Sequence, residues 1–71
     1  MDTKIGSRLA DLIASRGISQ RELARELGVS NATIWRIVHE NVVPTGTTLI
    51  LLADYFEVSI DWLVGRDGYE N

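Results

Sequence analysis

Two helix starts and one helix stop fall within twelve consecutive residues, Ser19–Ser30. Ser19-Gln20-Arg21-Glu22 has the form of a capping box: the serine oxygen takes one of the free N–H groups of the first turn, and Glu22 reaches back for another. Gly28 suits the left-handed backbone that commonly ends a helix. Ser30 is a second N-cap residue type. Only Gly28 and Val29 separate the two helices, so the segment Ser19–Val38 is expected to fold as an angled helix pair with a tight turn. Ala24 is small enough to let the second helix approach the first. Val29 plugs the corner, and Ile34 anchors the second helix to the interior.

The same punctuation divides the rest of the chain. A first helix is expected over Lys4–Ser15, capped by Thr3, with Ile5, Leu9, Leu12 and Ile13 on one stripe and Gly17 as its stop. In the second helix Leu23, Ala24 and Leu27 face inward. The third, ending near His39, buries Ile34 and Ile37, with Val38 at the margin. Glu40-Asn41-Val42-Val43-Pro44 reads as a loop, because the residue before a proline is pushed out of helical geometry. A fourth helix follows from a Thr45 cap to about Phe56, with Leu49, Leu52, Ala53 and Phe56 inward. A short fifth helix, Ile60–Val64, lies between a Ser59 cap and Gly65. No stretch alternates as a strand. The expectation is one all-α domain over residues 1–66 and a flexible tail or truncated linker over 67–71.

Composition removes several function classes. There is no cysteine and one histidine, so thiolate and histidine-rich metal sites are excluded. No apolar run approaches the roughly 18 residues of a membrane span. Met1-Asp2-Thr3-Lys4 lacks the charged-then-apolar pattern of a secretory signal, and a cytoplasmic location is expected. No nucleophile–base–orienter set and no glycine-rich phosphate loop is present, so no enzyme, cofactor or small-molecule substrate is expected. The net charge of −3 opposes nucleic-acid binding. Its distribution softens that objection. The first 40 residues hold six basic side chains (Lys4, Arg8, Arg16, Arg21, Arg25, Arg36) against five acidic ones, or +1, and the remainder sums to −4.

With Ile34 and Ile37 inward, residues 31, 32, 35 and 36 lie on the opposite side of the third helix. Asn31 suits bidentate pairing with adenine, Arg36 pairing with guanine or phosphate, and Ala32 contact with a thymine methyl. Thr33 is placed for phosphate or a nearby base. The starts of both helices offer free N–H groups to phosphate. Plainer roles stand beside these. Gln20 and Asn31 are ordinary early-helix residues, and Arg36, Arg21 and Arg25 equally suit a solvated face. His39 reads as a helix-end residue near the dipole, and Trp62 as core.

Gln20-Arg21-Glu22-Leu23-Ala24-Arg25-Glu26-Leu27-Gly28-Val29-Ser30-Asn31-Ala32-Thr33-Ile34 resembles the helix-turn-helix of Cro/CI-type phage repressors and their bacterial relatives. Pro44-Thr45 and the block Leu49–Gly65 resemble that family's fourth and fifth helices, so the similarity covers roughly residues 4–65. The resemblance implies a five-helix, lambda-repressor-like domain that regulates transcription, as a repressor, by reading operator half-sites in double-stranded DNA as a homodimer. It implies a phosphate-binding, helix-bracing role for Gln20 and groove-facing positions for Ser30, Asn31, Ala32 and Arg36. Together with Arg21, Thr33 and Trp35 these form the candidate DNA-binding set. Three features depart from the family: the large Trp35 on the outward face, a loop after the third helix without Lys or Arg, and the net acidity. Trp35 fits the sugar-phosphate wall, a protein interface, or a partly buried site on a rotated helix. The alternative function is a protein-interaction module on the same fold, antitoxin-like or a repressor's partner, using Trp35 and the Val42-Val43 loop.

Overall fold

The first helix of the chain has no cap of its own; a side chain from the end of the third helix supplies it. The computed structural model describes residues 3–66. Among these, five helices and no strand occur: α1 (Ile5–Arg16), α2 (Gln20–Leu27), α3 (Asn31–Glu40), α4 (Gly46–Phe56) and α5 (Ile60–Val64). The tail expected over 67–71 lies outside the described residues.

Thr3 does not cap α1. The N-cap position falls on Lys4, which makes no side-chain capping bond. Instead the Gly6 N–H donates to Asn41 Oδ1 at 2.9 Å, and Asn41 Nδ2 donates to the Thr3 carbonyl at 2.9 Å. One side chain therefore satisfies a free donor of α1 and ties down the chain before it. The arrangement needs Gly6. A Cβ there would lie 2.8 Å from the Ile37 carbonyl oxygen and 3.2 Å from that of Val38, so α1 and α3 meet backbone to backbone.

The serine caps are as expected. Ser19 and Glu22 form the full capping box, with Glu22 N donating to Ser19 Oγ at 3.0 Å and Ser19 N to Glu22 Oε1 at 2.8 Å. Ser30 caps α3 and Ser59 caps α5. Thr45 occupies the N-cap position of α4 without capping it; its hydroxyl faces that of buried Thr48 at 3.5 Å. All five helices end on a left-handed residue: Gly17, Gly28, Asn41, Glu57 and Gly65. Asn41 and Glu57 accept this conformation without being glycine, and Glu40, expected in the loop, is the last residue of α3.

The core is built from Ile5, Leu9 and Ile13 of α1, Leu23 and Ala24 of α2, Ile34 and Ile37 of α3, Leu52 and Phe56 of α4, and Leu63 of α5. Leu12, Leu27, Val38, Leu49 and Trp62 pack around it half-buried. Two arginines fasten the rear of the domain. The Arg8 guanidinium lies 4.6 Å from the Trp62 ring centroid and donates to the Trp62 carbonyl. Arg16 lies 5.1 Å from the ring centroids of both Tyr55 and Phe56 and donates to the Tyr55 carbonyl at 3.3 Å. These two cations, counted from sequence toward a basic front, stack instead on α4 and α5.

Candidate nucleic-acid interface

The turn between α2 and α3 sets the angle of the site. Gly28, at φ 73°, donates to Arg25 O at 3.3 Å, and Val29 N donates to Ala24 O at 3.0 Å. These paired bonds reverse the chain within two residues. Ile34 and Ile37 are buried at 0% and 1% exposure and fix the rotation of α3 about its own axis. Asn31, Ala32, Trp35 and Arg36 are consequently exposed, as the helical period requires.

An open groove of about 560 Å³ runs between α2 and α3, lined by Gln20, Arg21, Asn31, Ala32, Trp35, Arg36 and Glu40. Six of the eight residues singled out from sequence thus share one concavity. Ser30 and Thr33 do not line it. Their hydroxyls are bonded to each other at 2.9 Å, and Ser30 Oγ also accepts from the Thr33 N–H at 3.1 Å. Capping engages both hydroxyls at the mouth of α3.

Trp35 is 48% exposed. A rotated α3 with Trp35 in the core is therefore incorrect: Ile34 and Ile37 occupy the inward positions and leave the indole outside. Its ring stacks on His39, with centroids 4.7 Å apart and planes inclined by 30°. His39 in turn faces Gln20 across the groove wall, Nε2 to Nε2 at 3.2 Å. His39 had been read only as a helix-end residue; the structure gives it partners on α2 and α3. No local sequence pattern signals that contact, because Gln20 and His39 are 19 residues apart. Glu40 also lines the groove, a residue that sequence reasoning did not single out.

The cations on this side are Arg21, Arg25 and Arg36. Among the described residues no hydrogen bond or ion pair engages their side chains. Arg21 and Arg25 also line a shallower hollow with Ala24, Val29 and Asn31. Beyond the end of α3, Val42 and Val43 are exposed at 44% and 45%, as expected, and border a third hollow with Thr33, Arg36, Pro44 and Thr48. Among the described residues no helix is long and apolar enough to cross a membrane, and no group of three or more His, Cys, Asp or Glu could hold a metal ion.

The sequence matches a family model and curated relatives. The chain is 30% identical over 63 residues to the HTH-type transcriptional regulator ImmR of Bacillus subtilis, covering 89% of the chain and 50% of ImmR. It is 35% identical over 63 residues to the cryptic phage CTXphi transcriptional repressor RstR of Vibrio cholerae, covering 89% of the chain and 56% of RstR. The chain thus spans about half the length of the curated relatives it matches. No solved structure matches it. A helix-turn-helix family model matches residues 9–63, a span that takes in α2, the turn, α3 and α4. The chain belongs to the Cro/CI-type helix-turn-helix family.

Proposed function

We propose that this domain binds operator half-sites in double-stranded DNA through α3 in the major groove and regulates transcription, as a repressor that occupies the operator. One observation carries the proposal: Asn31, Ala32, Trp35 and Arg36 stand on one exposed face of α3 and share a groove with Gln20 and Arg21 at the start of α2. Helix N-terminal residues are those that reach base edges in this motif, while the first helix crosses the backbone. Asn31, the first residue of α3, offers an amide for adenine, and Arg36, five residues on, a guanidinium for guanine or phosphate. Gln20 and Arg21 face the phosphates, assisted by free N–H groups at both helix starts. Ser30 and Thr33 support the site by holding the first turn of α3. Three unengaged arginines give modest affinity for one domain, so a homodimer on two half-sites about one helical turn apart supplies the rest.

Selection of bound sites from random duplexes at low salt tests this. Enrichment of a two-fold symmetric sequence supports it. Absence of any enriched sequence sinks it. Asn31→Ala and Arg36→Ala should each cost about 1–3 kcal/mol on the selected site and relax specificity at one position.

A second function draws on the exposed apolar residues. Trp35, Val42 and Val43 suit a protein partner, since exposed aromatics anchor interfaces. It is favoured if Asn31→Ala and Arg36→Ala leave DNA binding unchanged.

A further inference from the structure

Gln20 is the only glutamine of the chain and His39 the only histidine. They meet at the edge of the reading groove, from the start of α2 and the last turn of α3. We propose that His39, held flat by Trp35, is a positioning residue that fixes the Gln20 amide for contact with a DNA phosphate. The proposal rests on operator binding by this face and assigns a task to two residues on it. Trp35 and His39 are one helical turn apart on α3, and their rings stack at 4.7 Å. Stacking restricts the imidazole to one plane. That plane brings Nε2 to 3.2 Å from Gln20 Nε2. With the amide donating, the imidazole nitrogen accepts, and the ring carries its proton on Nδ1.

The consequence for Gln20 follows from amide geometry. A primary amide has two N–H bonds about 120° apart. One is spent on His39. The other, and the carbonyl oxygen, remain available at the groove, where Gln20 is part of the lining. A glutamine on a helix surface otherwise samples many rotamers and loses that freedom on binding. Here it is lost in the free protein. The fold uses the far end of α3 for this, so the same bond also braces α3 against α2. Trp35 then acts through His39, which accounts for a large indole on a reading face.

Two measurements on the full chain test it. In the free, ¹⁵N-labelled protein, the one side-chain amide pair of glutamine should shift on His39→Ala and on Trp35→Ala. His39→Gln, which places an acceptor oxygen near the position of Nε2, should restore it. An amide signal indifferent to His39→Ala overturns the proposal whether or not DNA is bound. The second measurement is affinity for the selected operator. His39→Ala should weaken binding about fivefold to tenfold, the worth of one hydrogen bond plus lost preorganisation. The double variant Gln20→Ala/His39→Ala should be no weaker than Gln20→Ala alone, and replacing one backbone phosphate with a neutral methylphosphonate should cost affinity in the unmodified protein but not in either variant. Losses that add, or a His39→Ala protein that binds with unchanged affinity, overturn the proposal while leaving operator binding intact. If the unmodified protein binds no duplex, operator binding itself fails, and the phosphate role of Gln20 fails with it. Thermal unfolding of each variant separates these outcomes from loss of fold.

Discussion

Adding one methyl group at Gly6 and the same group at Gly46 should move stability in opposite directions. Both glycines sit in the first turn of a helix, and neither has a positive φ. By helix propensity alone, each Gly→Ala change should stabilise by up to about 1 kcal/mol. At Gly46 the added Cβ would meet nothing within 4 Å, so that gain should appear. At Gly6 it would sit 2.8 Å from the Ile37 carbonyl oxygen, 3.1 Å from Asn41 Oδ1 and 3.2 Å from the Val38 carbonyl oxygen.

Two of the three obstacles at Gly6 are backbone, so no side-chain rotation relieves them. The end of α3 must move off α1 by several tenths of an ångström, which strains the Asn41 bond to the Gly6 N–H and loosens the packing of α1 against α3. Overpacking of this kind costs about 1–3 kcal/mol. Set against the propensity gain, Gly6→Ala should be less stable by about 1–2 kcal/mol. For a domain of this size that lowers Tm by roughly 5–15 °C, whereas Gly46→Ala should raise it by a few degrees. Far-UV circular dichroism on heating, and urea titration, measure both. A Gly6→Ala protein with Tm at or above that of the unmodified chain would refute the backbone-to-backbone contact of α1 and α3.

Other substitutions test the remaining devices. Asn41→Ala should cost about 2 kcal/mol in urea unfolding, from two lost bonds and left-handed strain, and Asn41→Gly about half that because glycine relieves the strain. Glu57→Gly, at a left-handed helix end with φ 58°, should stabilise by about 0.5–1 kcal/mol; a loss in the same assay would show that Glu57 carries some other contact. Arg16→Ala should lower stability by about 0.5–1 kcal/mol through lost packing on Tyr55 and Phe56.

The serines at 19, 30 and 59 were legible because a cap is a local event: the donor lies three residues from its acceptor, and the pattern is written within one turn. The outward face of α3 was legible for a similar reason, since burying Ile34 and Ile37 leaves little choice for 31, 32, 35 and 36. Asn41 was missed because its partners are 35 and 38 residues away. Two residue types hinted at it. A glycine inside a helix marks close backbone approach, and asparagine is the residue next to glycine in tolerating the left-handed region. The false cap at Thr3 is the other half of that error: a capping residue type stands one position before the N-cap, and Asn41 serves the donor instead. His39 sits at the helix end as expected, though its contact with Gln20, 19 residues away, leaves no local mark in the sequence. Arg8 and Arg16 were misjudged because a charge count records neither aromatic rings nor distant elements, and both find theirs across the fold.

That correction changes what the charge balance means for DNA binding. From sequence, the first 40 residues are +1, with six cations spread among them. In the structure Arg8 and Arg16 lie against the rings of α5 and α4, which leaves Arg21, Arg25 and Arg36 as the arginines of α2 and α3. Counterion release relates the salt dependence of affinity to the number of phosphates neutralised, with a slope near −0.9 per contact. One domain should therefore show a slope of about −2 to −3 in log affinity against log salt, and a dimer about −4 to −6. Arg21→Ala should reduce the slope by about 1 per bound domain, whereas Arg16→Ala should leave it unchanged. Fluorescence anisotropy on the selected duplex over a range of salt concentrations gives all four values. A slope that falls equally for Arg16→Ala and Arg21→Ala would mean that Arg16 leaves its aromatic partners to reach the phosphates, and the division between a fastened rear and a reading front would be wrong.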